Sequence, residues 1–249
     1  MKTIPYGESN FRRLILENNY YVDRTQYIRT LESDGAKYVF FLRPRRFGKS
    51  LFVSMLEYYY GIQYKNEFQD IFGGLAIGQN PTPKANSYLV LKFDFSGIKT
   101  NDPEKTEISF GNRVKNSIKV FMGKYPGYFG KEDVKELSAY SCAEDYINHL
   151  FTCHSQNNVT VPIYVLIDEY DHFTNEILAY SYQDFKTMVS QNGFVRKFYE
   201  VIKSAAGSGI VGRFFGTGVT PVTLDSLTSG FNITKNLSTR NSLNAAMGF

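Results

Sequence analysis

YVFFLRPRRFGKSLFVSML, residues 38–56, is the stretch whose reading decides the fold. Tyr38–Leu42 is a short run with almost no polar atoms, as expected of a strand covered on both faces. A tight basic loop follows, and from Lys49 the chain reads as a helix to about Tyr60, ended by Gly61. Gly48-Lys49-Ser50 is the back half of the phosphate-binding pattern G-x-x-x-x-G-K-[ST]. The first glycine of that pattern belongs at position 43, where the chain has Arg43. Glycine there permits a tight turn, whereas Arg43, restricted further by Pro44, is expected to stay extended. The loop then enters more openly than usual, with Arg43 near the sheet edge or the phosphates.

The chemistry of the loop follows from its position. A helix N-terminus presents unpaired N–H groups and partial positive charge, which suits phosphate. Gly48 lets the backbone approach closely, Lys49 supplies a compact charge for the β- and γ-phosphates, and the Ser50 hydroxyl is a magnesium ligand. Arg45, Arg46, Phe47 and Leu51 complete the expected nucleotide contacts. The plainer alternative is a basic turn that happens to spell Gly-Lys-Ser; a strand before it and a helix after it argue against that.

A second constellation lies downstream. Ile163 to Ile167 is an apolar strand closed by Asp168-Glu169. One carboxylate to hold magnesium and one free to polarise water is the division that hydrolysis needs, so Asp168 takes the metal role and Glu169 the general-base role. The plainer reading is a solvated acidic strand end; Asp171 is ranked below both acids. After the fourth strand, Ile210–Phe215, Thr217 and Thr220 are the candidates to orient water, against the reading as turn threonines. Asp94, closing the second strand (88–95), reads as a cap or turn residue.

Other classes are excluded. The formal charge of +4, from 28 basic and 24 acidic residues, is too mild to argue nucleic-acid binding by itself. Cys142 and Cys153 form neither a disulfide framework nor, with His149, His154 and His172, a metal-ligand spacing. A reducing cytoplasm is the expected compartment. No apolar run approaches the roughly 18 residues of a membrane span.

The remaining elements alternate. Asp23 reads as the N-cap of a helix running to about Leu31. A short helix is expected over 67–72. The block 103–152 reads as helical, with Ser141-Cys142-Ala143-Glu144 as a capping box and both cysteines on its last helix. The segment after Glu169 reads as polar and aromatic, and Phe194–Ala206 as a helix. Strands alternating with helices predict an α/β fold with a parallel sheet covered on both faces.

These residues resemble a known family: the AAA-ATPase-like domain of predicted bacterial ATPases, often followed by a PD-(D/E)XK nuclease-like domain. The resemblance rests on Ile4-Pro5-Tyr6-Gly7, Tyr20 to Thr25, Phe41 to Leu51, Phe72-Gly73-Gly74-Leu75, Asn80 to Pro83, Phe93 to Ser96, Ile167 to Asp171 and Gly218 to Ile233. Related archaeal-type ATPases read Gly-Pro-Arg-Arg-x-Gly-Lys-Thr/Ser in the loop, and the family tolerates Arg at position 43. The resemblance implies a P-loop NTPase of ASCE type, strand order 5-1-4-3-2, with ATP and Mg2+ as ligands and Lys49, Ser50, Asp168 and Glu169 in the roles above. It implies an N-terminal segment (1–37) packing near the nucleotide site and an ATPase core (38–249) with a helical insertion at about 103–152. A short fifth strand is expected at 233–237. The lid and the nuclease-like domain, and with it any nucleic-acid contact, are expected to lie outside this chain; Arg213 and Arg240 are left as candidates to touch ATP or a neighbour. Oligomerisation stays open. A second reading is a nucleotide-dependent regulatory or nucleic-acid-binding module with little turnover, since Arg43, Arg45, Arg46 and Lys49 crowd one loop.

Overall fold

The computed structural model describes residues 2–190, 192–227 and 230–248. Thr228 and Ser229 of the last resemblance stretch, and the ends Met1 and Phe249, lie outside the described residues. Two short helices, α1 (Phe11–Leu16) and α2 (Gln26–Ser33), precede β1 (Tyr38–Leu42). After the basic loop come α3 (Lys49–Tyr60), α4 (Phe68–Phe72), α5 (Ala76–Gln79) and β2 (Leu89–Asp94). Helices α6 (Pro103–Lys124), α7 (Lys131–Glu136) and α8 (Ala143–Gln156) lead to β3 (Ile163–Asp168). Helices α9 (His172–Tyr180), α10 (Tyr182–Val189) and α11 (Phe194–Gly207) lead to β4 (Val211–Gly218), followed by α12 (Val222–Leu227) and the two-residue β5 (Lys235–Asn236).

All strand pairings are parallel, in the order β2-β3-β4-β1-β5. Counted from the β5 edge this reads 5-1-4-3-2. The register brings Leu42 opposite Gly218, Ile167 opposite Gly216 and Asp94 opposite Asp168, so the carboxyl ends of four strands share one rim. Alternation along the strands splits the apolar residues between two cores. Val39, Phe41, Tyr164, Leu166 and Phe215 meet α1, α2, α3 and α4 on one face. Phe40, Leu42, Phe93, Val165, Ile167 and Phe214 meet α6, α8, α9, α10 and α11 on the other. Each large side chain so buried contributes on the order of 1.5–3 kcal/mol, which explains why these strands tolerate almost no polar residue.

Two ionic and polar ties fix elements that apolar contact alone would leave free to slide. Glu57 on α3, 7 % exposed, lies 3.2 Å from Lys92 Nζ on β2 and 2.8 Å from Lys124 Nζ on α6. On the outer side of β2, the Val90 N–H donates to the Tyr125 phenol oxygen at 2.8 Å.

Several local expectations are corrected. Asp23 is not the cap of α2; Thr25 is, and Asp23 instead accepts from Thr25 N, Thr25 Oγ1 and Ala76 N, tying α2 to α5. The Ser141–Glu144 box is not made, because α8 starts one residue later, with Cys142 as its N-cap and no side-chain bond. Cys142 is therefore the half-buried cap, and Cys153 alone sits within the helix. The stretch after Glu169 forms two helices: Phe173 and Ile177, then Phe185, Met188 and Val189, face the core at helical spacing, and Ser181 caps the second by accepting from Asp184 N. Among the described residues, no helix is long and apolar enough to cross a membrane.

Candidate nucleotide site

The loop between β1 and α3 hangs from the middle of the sheet rim. Arg43 N donates to Gly218 O at 3.1 Å, extending the β1–β4 ladder by one residue. Its φ is not positive; the left-handed turns fall at Arg46 (φ 68°) and Gly48 (φ 77°). The Arg43 guanidinium turns away from the loop toward the β5 side. Nη1 donates to Leu42 O and Ser238 O at 2.9 and 2.8 Å, and the group lies 4.2 Å from the Phe41 ring centre. Of the two expected destinations it takes the sheet edge. The left-handed turn carried by a non-glycine residue at Arg46 costs about 1–2 kcal/mol, a strain of the kind held at ligand loops.

Lys49 opens α3 and is only 5 % exposed. Its ammonium folds back across the loop to Pro44 O at 3.2 Å. Three N–H donors thus have one acceptor among the described residues. A buried cation so sparsely satisfied fits an anion lying on the loop. Arg45 and Arg46 are exposed, and neither has a hydrogen-bond or ion-pair partner among the described residues. They line different cavities: Arg45 one of about 580 Å3 with Glu169, His172 and Thr220, and Arg46 one of about 370 Å3 with Phe47, Gly48 and Leu51.

Ser50, on the first turn of α3, lies close to the carboxyl group of Asp168, which ends β3 and is 6 % exposed. Burial pushes the Asp168 pKa up; the nearby Ser50 hydroxyl opposes that, and the neighbouring Asp94 and Glu169 charges add to it. A carboxylate raised in this way gains from a cation. Ser50 and Asp168 offer two oxygen donors, a set that fits an ion that keeps waters and takes phosphate oxygens, as Mg2+ does.

Glu169 adopts φ 51°, with its N–H on Asp168 Oδ1 at 3.0 Å. Its side chain, a third exposed, lies 3.6 Å from His172 Nδ1, and His172 Nε2 lies 3.4 Å from Glu176. Asp94 makes a turn, accepting from Ser96 N at 2.9 Å.

Both threonines are engaged in bonds within the protein. Thr217 is fully buried and donates to Phe41 O at 2.7 Å, joining β4 to β1. Thr220 N donates to Asp171 Oδ2 at 2.6 Å, and its Oγ1 lies 3.1 Å from that oxygen and 2.9 Å from Asn175 Oδ1. Asp171, ranked low from the sequence, is the organising group: 1 % exposed, it accepts from Val219 N, Thr220 N and Asn175 Nδ2. Gly218 makes room for it, since a Cβ there would sit 2.2 Å from Asp171 Oδ1. Arg213 and Arg240 are also corrected. Arg213 is buried near the opposite end of β4 against the Tyr164 ring, and Arg240 pairs with Asp34 at 3.2 Å.

A family model described as Predicted AAA-ATPase matches residues 5–228 of the 249. No curated protein and no solved structure matches the chain significantly.

Proposed function

The chain belongs to the predicted AAA-ATPase family, and from that premise we propose that it binds ATP with Mg2+ and hydrolyses it to drive a conformational change. The observation that carries the reading is one rim of the sheet holding the under-satisfied Lys49 ammonium, the Ser50–Asp168 pair and Glu169. Strand order, loop and the acid following Asp168 support an ASCE-type P-loop arrangement.

Lys49 exchanges its bond to Pro44 O for β- and γ-phosphate oxygens, and the N–H groups at the start of α3 cradle the phosphates. Ser50 and Asp168 would hold the metal, which would supply positive charge to offset that developing on the phosphates. Glu169 takes the proton of the attacking water as its oxygen bonds the γ-phosphorus and the bond to the bridging oxygen breaks, leaving ADP and phosphate. His172 holds the Glu169 carboxylate, and the exposed Arg45 faces the same cavity, available to the γ-phosphate. The free thiols, Cys142 half-buried and Cys153 buried, agree with a reducing, cytoplasmic setting.

Steady-state ATPase assays test the reading. Lys49→Ala is expected to abolish nucleotide binding. Glu169→Gln is expected to keep binding and lower turnover by about 10²–10⁴. Unchanged ATP affinity in the first, or surviving turnover in the second, overturns the corresponding assignment. The free Arg45 and Arg46 favour one second reading, a module that meets a nucleic-acid backbone. DNA affinity falling steeply with salt and not displaced by ATP would mark it.

A further inference from the structure

The outer edge of β2 is covered by the chain itself over only part of its length. Leu89 N and Phe95 N donate to Pro162 O and Asp168 O, so the alternate residues, from Tyr88 to Asp94, turn their N–H and C=O groups away from β3. At Tyr88 that outer side is paired: Tyr88 N donates to Tyr60 O, and Ile62 N to Tyr88 O, both at 3.0 Å. At Val90 the Tyr125 phenol takes the N–H. The outward N–H groups of Lys92 and Asp94, with the Lys92 carbonyl between them, have no such cover among the described residues. There a groove of about 380 Å3 opens, with Glu57 of α3 on one wall and Arg113, Asn116 and Val120 of α6 on the other. The groove carries a surplus of donors. Both Glu57 oxygens are taken, one by Lys92 and one by Lys124, and Asp94 Oδ1 is taken by Ser96 N. Each ammonium has three N–H groups and this one acceptor among the described residues.

We propose that this groove takes an extended, acidic segment of a partner protein, which adds to β2 as a short outer strand. Two observations carry it. An N–H, a C=O and a second N–H at strand spacing form a ladder fragment that a polypeptide backbone matches. A phosphate chain does not match it, since the Lys92 carbonyl between the two donors opposes an anion. The donor surplus on the walls then favours carboxylate side chains on the segment over ammonium ones. Val120, 58 % exposed, offers it an apolar contact. Tyr125 closes the opening at Val90, so the edge admits a short segment and fixes its register. The segment passes beside Asp94, one strand away from Asp168. The groove lies outside the nucleotide site, and the proposal stands apart from that reading.

The test uses the full chain, fluorescein-labelled octapeptides of alternating Val and Glu or alternating Val and Lys, and inorganic tripolyphosphate. Fluorescence anisotropy is expected to show the Val–Glu peptide binding about tenfold more tightly than the Val–Lys peptide. Ser117 is a half-buried residue on the groove wall, and Ser117→Trp fills the space beside it. That variant is expected to weaken the Val–Glu peptide by about tenfold, with an unchanged urea midpoint showing that the fold is intact. Hydrogen exchange followed by NMR is expected to slow at the Lys92 and Asp94 amides when the Val–Glu peptide binds, and to stay unchanged with tripolyphosphate. Should Ser117→Trp not fold, the exchange measurement on the wild-type protein decides. Unaltered exchange at those two amides, or equal affinity for the two peptides, overturns the proposal. Tripolyphosphate that displaces the peptide and slows the same amides marks a plain anion site and overturns it as well. Wild-type protein that binds neither peptide also overturns it.

Discussion

Arg43 occupies a position that the phosphate-loop pattern gives to glycine, and here it works as a structural tie. Its bonds to Leu42 O and Ser238 O hold the β5 side of the sheet to the loop entrance. Arg43→Gly restores the pattern but removes those charge-assisted bonds and adds backbone freedom. It is expected to keep ATP binding and to lower stability by about 2 kcal/mol, measured by urea unfolding. Asp168 behaves oppositely. Burial raises its folded pKa, so the ionised side chain opposes folding above that pKa, and the opposition fades as pH falls toward the unfolded value of about 3.9. Asp168→Asn is therefore expected to raise Tm at pH 7–8 while stopping Mg2+-dependent turnover, the Tm gain disappearing in acid. At this scale the sequence shows what is local. Lys49, Ser50, Asp168 and Glu169 sit in short patterns with a chemical reason for each member. Asp171 was hidden because its partners, Val219 and Thr220, are distant in sequence and no local spacing joins them.

Among the elements, α3 carries both the loop lysine and the Glu57–Lys92–Lys124 cluster, so one helix ties the phosphate cradle to β2 and α6. Burial pushes the Glu57 carboxyl up, and the two lysines outweigh it, holding the group below its ordinary range. A depressed folded pKa contributes stability above the unfolded value of about 4.3 and loses it as pH falls through the folded value. Glu57→Ala is expected to cost about 2–3 kcal/mol at pH 7, under the 3–5 of a fully buried broken pair because the lysines are a third exposed. The loss should shrink in acid, and urea midpoints across pH check it. The strands were legible because both faces are buried and the apolar runs are unbroken. Helices α9 and α10 were not, since tyrosines and polar residues on their exposed sides blur the spacing of Phe173, Ile177, Phe185 and Met188.

For the whole molecule, alternating elements pointed to a parallel sheet with two covered faces, and the sheet has both. The association of residues 4–24 with residues 245–248 was not readable, because it is made by Arg24 reaching backbone carbonyls, which carry no sequence signature. The Tyr125 phenol on Val90 N–H has its own consequence at this scale. β2 has a strand on only one side, and a row of free amide groups there invites another chain to add itself and grow into aggregates. Tyr125 blocks that row at its second residue, and Lys92 adds a charge two residues on. Tyr125→Phe is expected to leave turnover intact and to raise light scattering with concentration and time, the edge of β2 then presenting one more unpaired amide to a passing chain.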